Sequence, residues 1–240
     1  MNLVIDSGNT QAKTGLFDKG QLMATHHIKS FDQSFFDRLF AEYSIKKTII
    51  ASVSHQAESI RNFLSAYGVP VIMASPSLDF PFSIGYKTPQ TLGIDRLAAV
   101  AGATELFPGE NLLIIDAGTA ITYEIVTEEN IYLGGNIAPG MQMRFKALNQ
   151  YTSKLPLCDP ESWNGWMGTT TQEAIAAGVV QGMINEMEGY EGLMQQKFSN
   201  YKVIITGGDA DFFAKKLKNP IFVNLNLVLS GLNRILEHNA

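Results

Sequence analysis

The chain alternates short apolar runs with polar turns, and one arrangement of runs and turns occurs twice. The apolar runs 3–5 and 112–115 each end in an aspartate, a small residue, a glycine and then an Asn or Thr. A second strand-like run follows each turn, at 14–17 and 121–126. Short apolar runs bounded by glycine predict buried strands that pair as hairpins. The sequence therefore predicts two similar lobes that each begin with such a hairpin.

The first half of the chain predicts a three-stranded meander followed by alternating helices and strands. Apolar side chains recur at helical spacing between 35 and 43, and Ser54 is a suitable N-cap for a helix that reaches about Tyr67. A mixed α/β lobe, in which helices cover a sheet, follows from this order. The predicted strands are Leu3–Asp6, Lys13–Phe17, Gln21–Ile28, Thr48–Ser52 and Val71–Ala74.

The second half predicts a similar meander and longer helices. Its glycine-rich segment 134–140 predicts a loop that leads into a helix, and Glu186, Glu188 and Glu191 are interpreted as a solvated helix face. We divide the chain into an N-terminal lobe, 1–107, and a C-terminal lobe, 108–240. The predicted strands are Asn111–Asp116, Ile121–Val126, Ile131–Leu133 and Lys202–Thr206, and the predicted helices are Asp95–Leu106, Thr171–Phe198 and Leu225–Leu236.

Composition and charge exclude several classes of protein. Of the 240 residues, 45% are hydrophobic and 17% charged, which indicates an ordered globular protein. A net charge of −5 gives no basic field, so nucleic acid is not an expected partner. The single cysteine, Cys158, excludes an intramolecular disulfide and fits a reducing cytoplasm. No apolar run approaches the ~20 residues of a membrane span.

The first hairpin turn is a candidate phosphate site. Asp6 supplies a hard oxygen ligand for Mg²⁺, the backbone at Gly8 and its neighbours supplies N–H donors, and Lys13 supplies a positive charge. A strand that ends in an Asx turn would give the same residues without any ligand. The second copy at a matching position makes the phosphate site the better interpretation.

The second hairpin and one later turn carry further candidates. Thr119 could bond a phosphate oxygen, and Asp116 could bind a metal or a monovalent cation. Gly207 and Gly208 follow an apolar strand, where two glycines permit close approach of a base or ribose. Turns of this last kind are common in α/β proteins, so this signal alone is weak.

A third candidate group opens the helix between the halves. Asp95 could accept a proton from a substrate hydroxyl, while Arg96 binds an anionic substrate group or the transferring phosphoryl. An aspartate in the first turn is also a common helix cap with no catalytic role. Both interpretations stay open on the residues alone.

Taken in order, six motifs resemble those of type III pantothenate kinases, a family in the superfamily of acetate and sugar kinases, heat-shock ATPases and actin. Each motif alone is weakly specific, but six in order over nearly the whole length are specific. The motifs are Asp6–Lys13, Gly93–Arg96 preceded by Tyr86 and Pro89, Asp116–Thr119, Gly134–Gly140, Gly168–Ile175 and Thr206–Gly208.

The resemblance implies ATP-dependent phosphorylation of pantothenate to 4'-phosphopantothenate, the first step of coenzyme A biosynthesis. It implies two similar lobes of ribonuclease H-like, actin-like ATPase topology, with mixed sheets flanked by helices and an active site in the cleft between them. It also implies Mg²⁺ bound with ATP, a monovalent cation such as K⁺ or NH4⁺, a homodimer, and a cytoplasmic enzyme without nucleic-acid or membrane partners.

The resemblance also assigns roles to individual residues. Asp95 is the implied general base, and Asp116 and Asp6 are the implied metal ligands. The implied pantothenate contacts are Tyr86, Gly93, Ile94, Asp95, Arg96 and Thr171. The implied ATP contacts are Asp6, Ser7, Gly8, Asn9, Thr10, Gln11, Ala12, Lys13, Thr119, Gly207 and Gly208.

Two other functions are kept beside this one. The chain could be a catalytically silent nucleotide-binding regulatory protein, although a module that only binds has no need of Asp95. It could also be a kinase for another small hydroxyl substrate, because a fold does not fix a function.

Overall fold

A computed structural model describes residues 1–8, 12–28, 33–52 and 56–240. The chain forms two compact units: the first holds 1–108 together with 226–240, and the second holds 109–225. None of the helices in the described part of the chain combines the length and hydrophobicity that a membrane span requires.

The first unit is built on a five-stranded mixed sheet in the order β3-β2-β1-β4-β5. Strands β1, β2 and β3 pair antiparallel, whereas β4 and β5 continue the sheet in parallel with β1. The strands are β1 Asn2–Ser7, β2 Ala12–Asp18, β3 Gln21–Ile28, β4 Lys47–Ser52 and β5 Val71–Met73, and a two-residue strand β6 follows at Ser83–Ile84. The predicted meander and both later strands are confirmed.

Helices cover both faces of this sheet, because its central strands are apolar on both sides. Helices α1, Gln33–Glu42, and α2, Gln56–Ser65, bury Phe36 and Leu64 against Leu3 and Ile5. The opposite face packs against α7, Leu227–His238, which in turn packs against α3, Ile94–Leu106. The N-cap prediction at Ser54 lies outside the described residues.

Helices α3 and α7 cross with their backbones in direct contact. A Cβ atom added at Gly231 would lie 1.7 Å from the carbonyl oxygen of Ala98, and one added at Gly102 would lie 2.4 Å from that of Leu227. This close crossing attaches the last segment of the chain to the first unit. The division predicted at 107/108 instead placed that segment with the C-terminal lobe.

The second unit repeats the order of an antiparallel meander followed by parallel strands. Its sheet has the order β11-β10-β7-β8-β9, in which β7, β8 and β9 pair antiparallel and β10 and β11 run parallel to β7. The strands are β7 Leu112–Ala117, β8 Ala120–Val126, β9 Ile131–Pro139, β10 Lys202–Thr206 and β11 Phe222–Val223. The helices are α4 Met141–Gln150, α5 Thr171–Lys197 and α6 Ala210–Ala214.

The prediction of a glycine-rich loop over 134–140 is wrong, because strand β9 continues through this segment to Pro139. Glycine is needed here for close packing within the sheet. A Cβ atom at Gly135 would lie 1.8 Å from the carbonyl oxygen of Tyr123, and Gly134 has a positive φ of 118°. These glycines let the third strand of the meander approach β8.

The prediction of a solvated acidic face on α5 is also wrong. Glu191 is only 2% exposed and accepts a hydrogen bond from Asn219 at 2.6 Å. Glu186 accepts hydrogen bonds from Tyr123 and Arg144, both at 2.8 Å. A carboxylate can be buried on such a helix when donors on neighbouring elements meet it, and the helix sequence alone does not show those donors.

Candidate functional site

The strand register of the first hairpin places a carboxylate beside an ammonium group. Asp6 on β1 pairs directly with Lys13 on β2, so both side chains project from the same face of the sheet. The last pair before the turn is Ser7 with Ala12. The hairpin thus presents one acidic and one basic side chain at the base of its turn.

Asp6 has an unusual ionisation because it is largely buried. Burial and the negative charge of Asp95 raise its pKa from 3.8 to about 6, and the opposing effect of Lys13 is smaller. Burial also lowers the pKa of the Lys13 ammonium from its ordinary value. The carboxylates of Asp6 and Asp95 thus lie close enough for their negative charges to repel, and a bound cation would reduce this repulsion.

Replacing Asp6 by Asn is expected to stabilise the ligand-free protein at pH 7 by about 2 to 3 kcal/mol. Between pH 3.8 and about 6 the folded state holds a proton on Asp6 that the unfolded state has lost. The penalty on the wild type therefore grows as the pH rises through this window and is complete above it. Denaturant unfolding at several pH values measures this difference.

The matched control for this prediction is Asp18→Asn, which removes an exposed carboxylate at the far end of the same hairpin. We expect the gain from Asp6→Asn to vanish toward pH 4, and Asp18→Asn to change little at any pH. Equal unfolding free energies for Asp6→Asn and the wild type at pH 8 would contradict the prediction.

The start of helix α3 fixes the second candidate group. Gly93 is the N-cap, and the amide of Arg96 donates to Oδ1 of Asp95 at 2.9 Å. A Cβ atom at Gly93 would lie 2.3 Å from the same Oδ1, so the absence of a side chain leaves room for the Asp95 carboxylate. Asp95 is exposed to solvent, so a substrate can reach its carboxylate.

Arg96 differs from its neighbour because its side chain is buried, with only 7% exposed. Its guanidinium carbon lies 6.0 Å from the centre of the Tyr86 ring, within the range of a cation–π contact. Ile94 is buried at the start of the same helix. The first unit therefore holds the side chains of Asp6, Asp95 and Arg96 at defined positions.

In the second unit, two turns meet around Asp116. Thr206 at the end of β10 pairs with Asp116 at the end of β7, and the amide of Asp209 donates to the carbonyl oxygen of Ala117 at 3.0 Å. Gly207 has a φ of +93°, and a Cβ atom there would lie 2.5 Å from Oδ1 of Asp116. The strand ends are thus joined so closely that this turn requires glycine.

The surroundings of these turns include open space. A Cβ atom added at Gly208 would meet nothing within 4 Å, and Thr119 is exposed. Burial raises the pKa of Asp209, which follows the glycine pair. The space beside Gly208 would therefore accept a side chain without a clash.

Thr171 is the first residue of helix α5, and a capping box fixes the chain just before it. Thr170 Oγ1 accepts the amide of Glu173, whose carboxylate accepts the Thr169 and Thr170 amides at 2.8 and 3.1 Å. Hydrogen bonds from the Thr169 side chain and backbone lower the pKa of Glu173. The exposed Thr171 therefore stands on a rigid turn.

Comparisons with known proteins cover nearly the whole chain. A family model described as type III pantothenate kinase matches residues 2–191. A type III pantothenate kinase of Phocaeicola vulgatus is 45% identical over 239 residues, covering 100% of this chain and 99% of the relative. That of Bacteroides fragilis is 43% identical over 239 residues, with 100% and 98% covered. The chain belongs to the type III pantothenate kinase family.

A solved structure resembles this chain over nearly the full length of both proteins. A Campylobacter jejuni protein assigned to the Baf family of transcriptional activators is 25% identical, with a TM-score of 0.66 and coverage of 99% and 98% of the two chains. The predicted fold class, mixed sheets flanked by helices in the actin-like ATPase topology, is confirmed.

The candidate residues of this pantothenate kinase family member fall into two groups. The first unit holds the described part of the first phosphate hairpin and the substrate motif at 93–96 with Tyr86. The second unit holds Asp116, Thr119, Thr171, Gly207 and Gly208. Asn9, Thr10 and Gln11 lie outside the described residues. The roles predicted for the individual residues stay predictions.

Two residues within the recognised motifs support the site in ways that the sequence did not predict. Glu173 clamps the turn before Thr171, and Gly140 packs against the second hairpin at Gly118 and Thr119. The pattern Thr-x-x-Glu at 170–173 is the sequence form of a capping box, so the sequence could have revealed the role of Glu173. The role of Gly140 depends on a contact between the N-cap of α4 and the turn after β7, which the sequence does not specify.

Proposed function

We propose that this member of the family transfers the γ-phosphoryl group of ATP to the primary hydroxyl of pantothenate, with Asp95 as the general base. One observation carries the proposal: Asp95 is exposed at a helix start, held by the Arg96 amide and close enough to Asp6 for its charge to act there. Phosphoryl transfer needs mainly positioning and compensation of charge, which these residues supply.

Asp95 accepts the hydroxyl proton as the oxygen attacks phosphorus. Its Oδ1 is held by the Arg96 amide, so the carboxylate presents a defined orientation to the incoming alcohol. Proton transfer by a positioned group contributes about 10² to 10⁴ in rate. A carboxylate that is both exposed and held in orientation, as Asp95 is, suits this role.

Pantothenate is an anion, and Arg96 is the cation assigned to it. The guanidinium is buried beside Tyr86, which fixes its direction and reduces screening by water. Gly93 and Thr171 are the further pantothenate contacts of this proposal. An alcohol that lacks an anionic group would lose the contact with Arg96.

The two hairpins bind the ATP phosphates in this proposal. Residues 6–13 and Thr119 bind the phosphates, the Lys13 ammonium neutralises part of their charge, and Gly207 and Gly208 admit the adenosine. When bound, Mg²⁺ would neutralise phosphate charge beside Asp6, and a monovalent cation would lie at Asp116. Among the described residues no group of three or more His, Cys, Asp or Glu side chains could hold a metal alone. Metal ligands would then include the phosphates themselves.

We also propose that the enzyme works as a cytoplasmic homodimer. The segment 151–167 exposes several large apolar side chains, a pattern found where a second copy packs. The exposed fractions are 87% for Tyr151, 59% for Leu157, 78% for Trp166 and 59% for Met167. The one cysteine, Cys158, is free and buried, in keeping with a reducing compartment.

A regulatory role without catalysis is the alternative, and the assignment of the Campylobacter jejuni relative to a family of transcriptional activators favours testing it. Phosphorylation of another small hydroxyl compound is the third possibility. A coupled ADP-release assay with ATP and Mg²⁺ separates all three. We expect turnover with pantothenate, faster with potassium than without it. Turnover with small sugars or acetate alone, or none with any acceptor, would exclude the proposed reaction.

A further inference from the structure

The turn of the second hairpin rests on the end of strand β9. The amide of Gly140 donates to the carbonyl oxygen of Thr119 at 3.1 Å. A Cβ atom on Gly140 would lie 2.3 and 2.4 Å from the carbonyl oxygens of Gly118 and Thr119. The position of Gly140 therefore determines where the backbone of the Asp116–Thr119 turn can lie.

Arg144 holds this end of β9 by two separate bonds. Its backbone amide donates to the carbonyl oxygen of Gly140 at 3.0 Å, and its Nε donates to that of Pro139 at 2.7 Å. Pro139 pairs with Ala120, the residue that follows the turn. The side chain of Arg144 thus bonds to the chain directly beside the hairpin.

Glu186 on α5 fixes the direction of Arg144 in turn. One carboxylate oxygen accepts the guanidinium at 2.8 Å, and the other accepts the hydroxyl of Tyr123 at 2.8 Å. The two charged side chains are only 20% and 28% exposed, so water screens their attraction less than at an open surface. Tyr123 is itself buried on β8 and stacks on Tyr190, with ring centres 3.9 Å apart.

From these contacts we propose that Arg144 and Glu186 are positioning residues for nucleotide binding, which hold the second phosphate hairpin in place through Pro139 and Gly140. This inference rests on the proposed function, in which Thr119 donates to an ATP phosphate. A phosphate contact depends on the turn being placed to within about half an ångström.

The test uses Glu186→Gln in the full-length protein. Glutamine keeps the shape and can still accept from Tyr123, but it removes the charge that orients Arg144. We expect the KM for ATP and the Kd for MgADP to rise about fivefold to tenfold, because a charge-assisted bond to the supporting residue is lost. The KM for pantothenate should not change.

Two further variants make the result specific. Arg144→Lys keeps the positive charge, but lysine lacks the planar guanidinium that donates to Pro139 and Glu186 at the same time. This variant should therefore also bind MgADP more weakly. Glu188→Gln is the matched control, since Glu188 lies on the same helix and pairs with the exposed Lys218 at 3.2 Å. It should leave both constants at their wild-type values.

The outcomes separate this proposal from the proposed reaction. Calorimetric titration with MgADP needs no pantothenate, so it tests the hairpin even if the wild type fails to phosphorylate pantothenate. Wild-type MgADP affinity in both Glu186→Gln and Arg144→Lys would overturn the positioning role, whatever happens to the melting temperature. An equal loss in the Glu188→Gln control would overturn it too, as would a shift confined to the KM for pantothenate.

Discussion

Replacing Asp95 by Asn should lower turnover with pantothenate by about 10² to 10⁴, while both substrates still bind. Asparagine keeps an Oδ1 that can accept the Arg96 amide, so the start of helix α3 retains its geometry. What it loses is the ability to take the hydroxyl proton. Steady-state kinetics and direct titration of ATP and pantothenate measure the two effects separately.

The control for this variant is Glu105→Gln, which removes a carboxylate from the last turn of the same helix. We expect this control to keep wild-type turnover. Turnover of Asp95→Asn at the wild-type rate would show that another group, or water, takes the proton. A parallel loss of substrate affinity would instead assign Asp95 to binding.

Replacing Gly231 by Ala should lower the free energy of unfolding by about 3 kcal/mol or more. The added methyl group would lie 1.7 Å from the carbonyl oxygen of Ala98, which belongs to the backbone of α3 and cannot rotate away. Helix α3 would have to move, and it carries Asp95 at its start. Denaturant unfolding measures the stability, and turnover is expected to fall as well.

Gly178→Ala is the matched control, because this glycine also lies within a helix but a Cβ atom there would meet nothing within 4 Å. Alanine has the higher helix propensity, so this variant should gain about 0.5 to 1 kcal/mol. If Gly231→Ala were as stable as Gly178→Ala, the close crossing of α3 and α7 would be wrong.

Much of the secondary structure could be predicted because local patterns determine it. The strand Lys202–Thr206 occurs with the predicted bounds, and the long helix ends at Lys197, one residue before the predicted end. Each of these two elements has a regular pattern of apolar residues along its length, and the pattern ends clearly at both ends of the element. The strands that carry Asp6 and Lys13 were both predicted, and the structure pairs these two residues directly.

The errors arose where contacts between distant segments decide the outcome. Glycines at 134–140 resemble a loop in sequence, but Gly135 is required by the approach of a neighbouring strand. Glu191 resembles a surface residue until Asn219 is brought beside it. Neither contact leaves a periodic pattern in the sequence, so patterning alone could not reveal either one.

The sequence says more about some candidate site residues than about others. Residues with chemistry of their own, such as Asp95 and Arg96, could be named as candidates from their types and spacing, and their roles stay predictions. A residue proposed to act through others, such as Arg144, could not, since an arginine in a helix has many ordinary roles. Its proposed role depends on its bonds to Pro139 and Glu186.

The crossing of α3 and α7 also bears on how the protein is made. Synthesis proceeds from the N-terminus, and the second unit is continuous over 109–225, so it can finish folding while the first still lacks its final helix. The strands of the first unit must wait, with one apolar face uncovered, until 227–238 have left the ribosome. A helix that is translated after the second unit therefore completes the first unit.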